Sequence, residues 1–328
     1  MTTTTADDVD QGVDIDQVLA DVADVARPCA EDGEVKAYIA DLAGMEPGNF
    51  AICVTELDGE THAMGDLDIR FSIQSISKVL ALVLAMRKVG EGVGVQEQLW
   101  RRVGREPSGD PFNSLVQLER EQGVPRNPLI NAGALIVDDV LLDHCADPKG
   151  ELLTLASELA GEELTISEEV ARVEEDTSAR NRAIANLMLS FDNLHHTVDE
   201  VLDVYAHQCA IEMSAAQLAR AFRFLANDGV DPATDRRILH PDLARRVAAI
   251  MLTCGTYDAA GEFAYSIGLP CKSGVCGAIV ALAPKQAAIC VWSPPLDDKG
   301  NSLAGRVALH ELSDRLDLSV FKGPESAL

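Results

Sequence analysis

Basic residues are scarce in this chain of 328 residues. Lys and Arg total 27 against 53 Asp and Glu, so the formal net charge is 27 − 53 = −26. The phosphates of nucleic acids and acidic membrane surfaces repel a polyanion, so we expect no nucleic-acid partner and no membrane partner. Hydrophobic residues make up 47% and charged residues 24%, which is typical of a globular protein and argues against wholesale disorder.

The sequence also lacks long apolar runs, the pattern typical of a secretory signal, and paired cysteines. No apolar run approaches the roughly 20 residues that span a bilayer, and the start Met1-Thr-Thr-Thr-Thr lacks a basic region followed by an apolar stretch. Zinc sites usually contain close cysteine pairs, and no C-x-x-C pair is present. We therefore expect a cytoplasmic protein with reduced thiols. The scattered cysteines are Cys29, Cys53, Cys145, Cys209, Cys254, Cys271, Cys276 and Cys290.

Patterns that indicate a bound cofactor or metal are absent as well. No Gly-rich phosphate loop is evident, and no histidine lies in a motif resembling a Ser-His-Asp triad. The pair His195-His196 suggests a metal at first sight. We place this pair on a helix, where adjacent side chains diverge, and no third ligand is spaced to join them. The sequence therefore predicts no cofactor and no metal site.

The order of predicted elements is strands, a long helical block and strands again. We predict a flexible acidic tail over residues 1–16, a discontinuous α/β domain over 17–80 and 251–322, and a helical domain over 81–250. The economical interpretation is one α/β layer built from both ends of the chain, with the helical domain inserted between them. No internal repeat is found.

Several individual elements follow from local patterns. Asp58-Gly59 has the chemistry of a tight hairpin turn between two strands. The apolar segment Ser77–Val89 contains no Pro or Gly and ends before Gly90, so it predicts a buried helix. Further strands are predicted over Glu262–Ile267, Gly277–Ala283 and Gln286–Trp292, and a closing helix over Gly305–Leu316.

The sharpest chemical signal is the Ser-x-x-Lys pattern of Ser75 and Lys78. On a helix this spacing places both side chains on one face, one turn apart. A serine hydroxyl is a weak nucleophile that needs a base, and a lysine can be that base if burial or a neighbouring cation lowers its pKa. The apolar run after Lys78 favours such burial. The alternative is a solvated lysine that follows a capping serine, since short patterns recur by chance.

A second signal is Lys272-Ser273-Gly274-Val275, which precedes a predicted strand. It resembles the Lys-Thr-Gly element that accompanies Ser-x-x-Lys in penicillin-recognising enzymes. Such a strand can place a backbone N–H beside the nucleophile and supply half of an oxyanion hole, the N–H of Ser75 being the other half. The alternative is a Gly-rich turn that only opens a strand.

Together with further motifs, these two signals make the chain resemble the serine-dependent glutaminases. The resemblance covers about residues 20–320 in unbroken order, which makes a chance match very unlikely. The additional motifs are Phe112-Asn113-Ser114, Pro125-Arg-Asn-Pro-Leu-Ile-Asn131-Ala-Gly-Ala134, Ser178-Ala-Arg180-Asn181-Arg-Ala-Ile184, Cys254-Gly-Thr-Tyr257-Asp258, and Trp292-Ser-Pro-Pro-Leu296 with Gly300-Asn-Ser302.

The resemblance implies a fold, a reaction and roles for individual residues. The fold is of the α/β (α+β) class, like that of β-lactamases and penicillin-binding proteins, with a mixed sheet flanked by helices and an inserted all-helical domain. The reaction is hydrolysis of L-glutamine to L-glutamate and ammonia. Ser75 would be the nucleophile, Lys78 its general base and Tyr257 the second proton-transfer group, while Val275 would offer its backbone N–H to the oxyanion.

Substrate binding is implied for a further set of residues. Glu174 would face the α-ammonium group of glutamine, and Asn and Tyr side chains would donate to its α-carboxylate. Glu174 is chosen among three neighbouring acids by its seven-residue distance from Asn181, and a solvated acidic run is the alternative. The residues implied in substrate binding are Tyr38, Gln74, Ser75, Asn131, Glu174, Asn181, Tyr205, Tyr257 and Val275.

Two other functions remain open from the sequence. One is a penicillin-recognising acyl hydrolase that uses the same Ser-x-x-Lys pair. The other is a non-catalytic module that keeps the fold and binds glutamine. The family resemblance also implies a homodimer or a homotetramer.

Overall fold

The structure, a computed structural model, describes residues 13–35, 45–90, 93–109 and 114–322, without the side chains of 93–95. The tail predicted for residues 1–16 lies mostly outside these ranges, and the first described helix already begins at Ile15. The described helices are α1 (Ile15–Ala26), α2 (Ser77–Val89), α3 (Val93–Arg102), α4 (Leu115–Arg120), α5 (Asn131–His144), α6 (Pro148–Ala160), α7 (Glu168–Asp176), α8 (Ala179–Ser190), α9 (Val198–Cys209), α10 (Ala215–Ala226), α11 (Pro241–Cys254), α12 (Ala260–Ser266) and α13 (Leu303–Arg315).

The described strands form one large sheet and two small ones. The large sheet has the order β2-β1-β10-β9-β8, and the smaller sheets are β3-β5-β4 and β6-β7. The strands are β1 (Ala51–Glu56), β2 (Thr61–Gly65), β3 (Phe71–Ser72), β4 (Thr165–Ile166), β5 (Ile211–Met213), β6 (Val230–Asp231), β7 (Arg236–Arg237), β8 (Cys271–Ser273), β9 (Ala278–Ala283) and β10 (Ala287–Trp292).

Helices cover the large sheet on both faces. Along β1, Ile52 and Val54 pack with α1 and α13, whereas Ala51 and Cys53 face the core that contains α2, α5 and α10. Strands β9 and β10 are buried along their whole length, because each face contacts a helical layer. This explains why these strands are continuous apolar runs rather than alternating ones.

The small sheet β3-β5-β4 connects the segment before the Ser-x-x-Lys motif to the helical block. Phe71 pairs with Met213, and the backbone N–H of Ile73 donates to Ile211 O at 2.8 Å. The Phe71 ring also stacks on Trp292 of the large sheet, with centroids 4.7 Å apart. The chain is thus fixed from two sides immediately before Ser75.

Most of the predicted fold is confirmed. The fold class agrees, α2 begins and ends where the sequence predicts, and Gly90 follows it with a φ of 102° that favours glycine. The predicted division into a discontinuous α/β domain and a helical domain stays a prediction. No helix in the described ranges is long and apolar enough to cross a membrane.

Two details of the prediction are wrong. The expected mixed sheet is antiparallel at every described pairing of the five large-sheet strands. The strand predicted over Glu262–Ile267 is the helix α12, in which Phe263 is buried and Tyr265 is 90% exposed. A short apolar run does not distinguish a strand from a helix by periodicity, and the edge position of the sheet is taken by β8 instead.

Candidate active site

Ser75 lies in a tight turn between β3 and α2. The turn Gln74–Ile76 is a single 3₁₀ turn that leads directly into the helix. Gln74 has a φ of 48°, which is uncommon for a residue with a side chain. The Ser77 hydroxyl donates to Gln74 O at 2.7 Å and stabilises this conformation. Ser75 is 8% exposed, so its hydroxyl lies at the edge of the core and at the start of a helix.

Lys78 is buried in the first turn of α2 and is only 1% exposed. Its Nζ donates to Asn131 Oδ1 at 2.6 Å and lies 5.6 Å from the centre of the Tyr205 ring. Burial lowers the pKa of Lys78 to about 8, against the opposing influence of Cys209, Asp138 and Glu174. A lysine with this pKa can lose its proton near neutral pH, as a general base requires.

Asn131 reaches Lys78 because a rigid loop sets the start of α5. The buried side chain of Asn127 accepts hydrogen bonds from the N–H groups of Leu129 and Ile130, at 3.0 and 3.1 Å. A Cβ at Gly133 would lie 1.8 Å from Asn127 O, so only glycine permits this close approach. Asn131 Nδ2 in turn donates to Asn181 Oδ1 at 2.9 Å. Lys78, Asn131 and Asn181 therefore form one hydrogen-bonded chain.

Glu174 is the member of its acidic run that faces this chain. It is half-buried on α7, whereas its neighbours Glu175 and Asp176 are exposed. Burial raises the pKa of Glu174, and a hydrogen bond from the Gln74 side chain and the charge of Lys78 oppose that rise. Glu174 therefore lies close enough to Gln74 for a hydrogen bond and close enough to Lys78 for an electrostatic interaction.

Tyr205 closes the site from α9. The residue is buried, with 5% exposure, and its ring faces the Lys78 ammonium group. Burial raises the pKa of its hydroxyl well above the ordinary value, with further contributions from Cys209 and Glu174. Tyr205 is therefore a neutral hydrogen-bonding group at physiological pH.

Tyr257 occupies a turn that is fixed by β8. Its φ is 54°, and the residue is 8% exposed. Ser273 N–H donates to Gly255 O at 3.1 Å, and a Cβ at Gly255 would lie 1.8 Å from Cys271 O. The side chain of Asn301 donates to Thr256 O at 3.4 Å. Such a constrained backbone at a non-glycine residue is common at functional sites.

Lys272 is a second fully buried lysine, and it lies against this turn. Its Nζ donates to Ser273 O at 2.6 Å and to Gly255 O at 3.1 Å, and it is 4.7 Å from the centre of the Tyr257 ring. Burial and the charge of Lys78 lower the pKa of Lys272 well below its ordinary value. Its Lys-Ser-Gly motif was recognised in the sequence, but no role was predicted for this side chain.

Val275 lies in the turn between β8 and β9, next to the turn that carries Ser75. The thiol of Cys276 lies 3.8 Å from Ile73 O, and a Cβ at Gly274 would be 3.1 Å from the same oxygen. Trp292 Nε1 donates to Cys276 O at 3.0 Å and holds this turn against the sheet. The Lys-Ser-Gly strand therefore approaches the segment that leads into Ser75, and the backbone N–H beside the nucleophile stays a prediction.

The predicted site residues that lie in the described ranges fall into one linked set. Tyr38 and the pair Phe112-Asn113 lie outside the described residues. Its members are joined by the hydrogen bonds, ring contacts and electrostatic interactions described above, or by the close approach of the turns that contain them. The set consists of Gln74, Ser75, Lys78, Asn131, Glu174, Asn181, Tyr205, Tyr257 and Val275.

The expectation for the two adjacent histidines is wrong in its geometry. His195 and His196 precede α9 in a loop rather than on a helix. Ligand atoms of Asp139, Asp143 and His195 lie within 4.8 Å of one another, so a third group does join them. Arg102 already contacts the buried carboxylate of Asp139, which explains this cluster as an ion-pair network.

Comparison with known proteins gives one consistent result. The sequence pattern of the family described as Glutaminase matches residues 33–321. A glutaminase from Methylobacterium sp. (strain 4-46) is 51% identical over 311 residues, 94% of this chain and 99% of that protein. A thermolabile glutaminase from Rhizobium etli is 51% identical over 310 residues, 94% of this chain and 97% of that protein.

Solved structures agree with the sequence relatives. A Bacillus glutaminase solved in the presence of 4.3 M NaCl has a TM-score of 0.84 and 34% identity, covering 94% of this chain and all of that one (100%). A Bacillus subtilis glutaminase, solved as a covalent complex with 5-oxo-L-norleucine, has a TM-score of 0.80 and 34% identity, covering 92% of this chain and 98% of that one. This chain belongs to the glutaminase family.

Proposed function

We propose that this protein hydrolyses the side-chain amide of L-glutamine to L-glutamate and ammonia through an acyl-enzyme on Ser75. The observation that supports this best is the buried Lys78, with its pKa of about 8, three residues after a serine at the start of a helix. A pair of this kind supplies both the nucleophile and its base. The relatives named above are glutaminases that match this chain over nearly their whole length, and they support glutamine as the substrate.

The first step is attack of Ser75 Oγ on the carboxamide carbon. Lys78 takes the hydroxyl proton as the new C–O bond forms, and the carbonyl oxygen becomes an oxyanion. The backbone N–H groups of Ser75 and Val275 would stabilise that oxyanion, each by roughly 3 kcal/mol by analogy with other acyl-transfer enzymes. The close approach of the Gly274 turn to Ile73 O supports the placement of the second donor.

The oxyanion then collapses back to a carbonyl to give the acyl-enzyme, and this step needs a proton for the departing ammonia. The hydroxyl of Tyr257 is the group we propose to deliver it, since its ring is held beside Lys272 and its backbone is fixed by β8. The C–N bond then breaks and ammonia leaves. Water, deprotonated by the same groups, cleaves the ester and restores Ser75.

The amino-acid end of glutamine would bind on the helical side of the site. Glu174 offers a carboxylate to the α-ammonium group, and Asn181 and Tyr205 offer donors to the α-carboxylate. Asn131 and Gln74 complete the pocket next to Lys78 and Glu174. Tyr38 is part of the same proposal on the family resemblance alone.

An affinity label tests the nucleophile directly. The Bacillus subtilis glutaminase forms a covalent complex on reaction with 6-diazo-5-oxo-L-norleucine. We expect the same reagent to add one label per chain here, located by mass spectrometry on the peptide that contains Ser75. Ser75→Ala should remain unlabelled, while Ser77→Ala, a second buried serine in the same motif, should still be labelled. A label that persists on Ser75→Ala would contradict the proposed nucleophile.

An ammonia assay tests the substrate and separates the rival functions. Wild-type protein should release ammonia from glutamine far faster than from asparagine, because the shorter amide misplaces its carbonyl carbon relative to Ser75. Ser75→Ala should release none. A stable adduct of Ser75 with labelled penicillin, without turnover of glutamine, would favour a penicillin-recognising hydrolase. Glutamine binding by calorimetry without ammonia release would favour a non-catalytic module.

Location and assembly form a separate part of the proposal. We propose a cytoplasmic protein, because all eight cysteines are free in the structure, in agreement with a reducing compartment. We also propose a homodimer or homotetramer, on the family resemblance. Light scattering on the purified protein would measure the mass, and a value near 35.1 kDa would contradict the assembly.

A further inference from the structure

Two adjacent aspartates on α5 are buried in very different surroundings. Asp138 and Asp139 are both 0% exposed. Asp139 accepts hydrogen bonds from Arg102 and from the backbone N–H groups of His195 and His196. Burial acts to raise the pKa of Asp139, but these donors outweigh it, and its pKa falls below the ordinary value. Asp139 is therefore a fully compensated carboxylate.

Asp138 has almost none of this compensation. Gln208 Nε2 donates to its Oδ2 at 3.1 Å. Its Oδ1 has no partner among the described residues, and the same holds for Gln208 Oε1, a second buried acceptor on the same partner residue. An isolated carboxylate is strongly disfavoured inside a protein unless it is paired or takes up a proton.

A single proton on Asp138 would give both unpaired oxygens a hydrogen bond. A carboxylic acid and a primary amide can form two hydrogen bonds side by side, with the amide N–H donating to one acid oxygen and the acid O–H donating to the amide oxygen. The observed contact between Gln208 Nε2 and Asp138 Oδ2 is the first of these bonds. A proton on Asp138 Oδ1 would supply the donor that Gln208 Oε1 lacks.

The groups around Asp138 agree with a neutral acid. On α2 the charge of Lys78 favours ionisation of Asp138, whereas Asp139 on its own helix disfavours it. On α9, Tyr205 and Cys209 are themselves uncharged because burial raises their pKa values. Burial outweighs the charge of Lys78 and raises the pKa of Asp138 well above its ordinary value.

We infer that Asp138 is held as a neutral carboxylic acid, paired with the side-chain amide of Gln208, in the same buried layer as Lys78. Asp138 lies seven residues after Asn131 on α5, hence on the same helix face, and Asn131 binds the Lys78 ammonium group. An ionised Asp138 would stabilise the cationic form of Lys78, whereas the neutral pair leaves the lysine able to lose its proton. The neutral pair therefore places no negative charge beside the proposed base.

Infrared difference spectroscopy tests the protonation state without any assumption about the reaction. At pH 7 the spectrum of wild type minus Asp138→Asn should contain the carbonyl band of a protonated carboxylic acid, which shifts in D₂O. Asp143→Asn, which changes a partly exposed carboxylate on the same helix, should leave that band in place. A difference spectrum with only carboxylate bands would overturn the inference.

Gln208→Met tests the pair itself. It removes the amide partner while Asp138 stays buried, so the protonated band should remain and move to higher frequency as its hydrogen bond is lost. An unchanged band would overturn the acid–amide pairing. This arm also serves if Asp138→Asn fails to fold.

The pH dependence of glutamine hydrolysis tests the consequence for Lys78, and this arm alone rests on the proposed function. Because Asn has the shape of the neutral acid, Asp138→Asn should keep kcat/KM within about twofold, with the acidic limb of its pH profile unmoved. If Asp138 is ionised in the wild type, the variant loses a negative charge and the limb moves to lower pH by about half a unit or more. That shift would overturn the inference, while inactive wild type with an intact infrared band would refute only the proposed function.

Discussion

Lys78 and Lys272 are both fully buried lysines that face a tyrosine ring, yet their surroundings differ in kind. Lys78 donates to the side-chain amide of Asn131, which is part of a chain that continues to Asn181. Lys272 donates to two backbone carbonyls, those of Gly255 and Ser273. The partner of Lys78 is a side chain, which can rearrange when the lysine loses its proton. The partners of Lys272 are carbonyl groups of the main chain, which cannot.

The difference shows that burial alone does not make a lysine a base. Burial depresses both pKa values, but only Lys78, with its pKa of about 8, lies three residues from a serine. Lys272 instead connects β8 to the turn of Tyr257 through its two hydrogen bonds and is expected to act by positioning that turn. Removing each lysine should therefore affect different steps, and by different amounts.

Lys78→Met should give the largest loss in this comparison. It removes the proposed base but keeps a side chain of similar size, so the apolar packing survives. We expect kcat for glutamine hydrolysis to fall by about 10³-fold or more, which is a loss typical of removing a general base. Steady-state ammonia release measures this. Lys78→Arg keeps the charge but cannot deprotonate, so it should be equally impaired; substantial activity in that variant would contradict the role of a base.

Lys272→Met should have a smaller effect, of about 10 to 100-fold on kcat, by analogy with the loss of a positioning contact. It leaves Gly255 O without the Nζ donor and loosens the backbone that holds Tyr257. KM should change less than kcat, because the proposed substrate contacts lie on the helical side. Lys285→Met, at an exposed lysine of the β9–β10 turn, is the matched control and should behave as wild type. An equal loss in both variants would exclude a specific role for Lys272.

Asn131→Asp should shift the pH profile of glutamine hydrolysis. Its effect on activity at high pH should be the smallest of the three variants. In the wild type, the unprotonated form of Lys78 increases as pH rises through about 8, so kcat/KM should fall about tenfold per unit below that value. A carboxylate in place of the amide, 2.6 Å from Nζ, stabilises the cation and raises the pKa of Lys78. The acidic limb should therefore move to higher pH by about one unit or more. A limb that stays in place would assign it to a group other than Lys78.

Local patterns predicted the elements where one signal was strong. The helix Ser77–Val89 follows from an uninterrupted apolar run that ends at a glycine with positive φ, and its apolar neighbours predicted the burial of Lys78. The helix over Ala260–Ser266 was missed because a short run with Phe263 and Tyr265 fits either periodicity. The outcome there depended on which segment pairs with β9.

Residues distant in sequence were harder to place. Asp138 and Gln208 lie 70 positions apart, and nothing in either local pattern predicts a pair. The loop containing His195 was assigned to a helix, because its contact with Asp139 of α5 is not visible in the sequence. The seven-residue distance from Asn181 selected Glu174 among three neighbouring acids, and the structure gives it a half-buried position beside Gln74.

The sequence by itself determined the chemistry available: a serine and a lysine one turn apart, a Lys-Ser-Gly strand, and a deficit of basic residues that argues against polyanionic partners. Those features are local, since spacing along a helix or strand fixes which side chains share a face. Only the tertiary structure decided the protonation behaviour of the buried groups. Desolvation and hydrogen bonding depend on every element packed around a group, and α5, α7, α9 and β8 reach the two lysines from positions far apart in the chain.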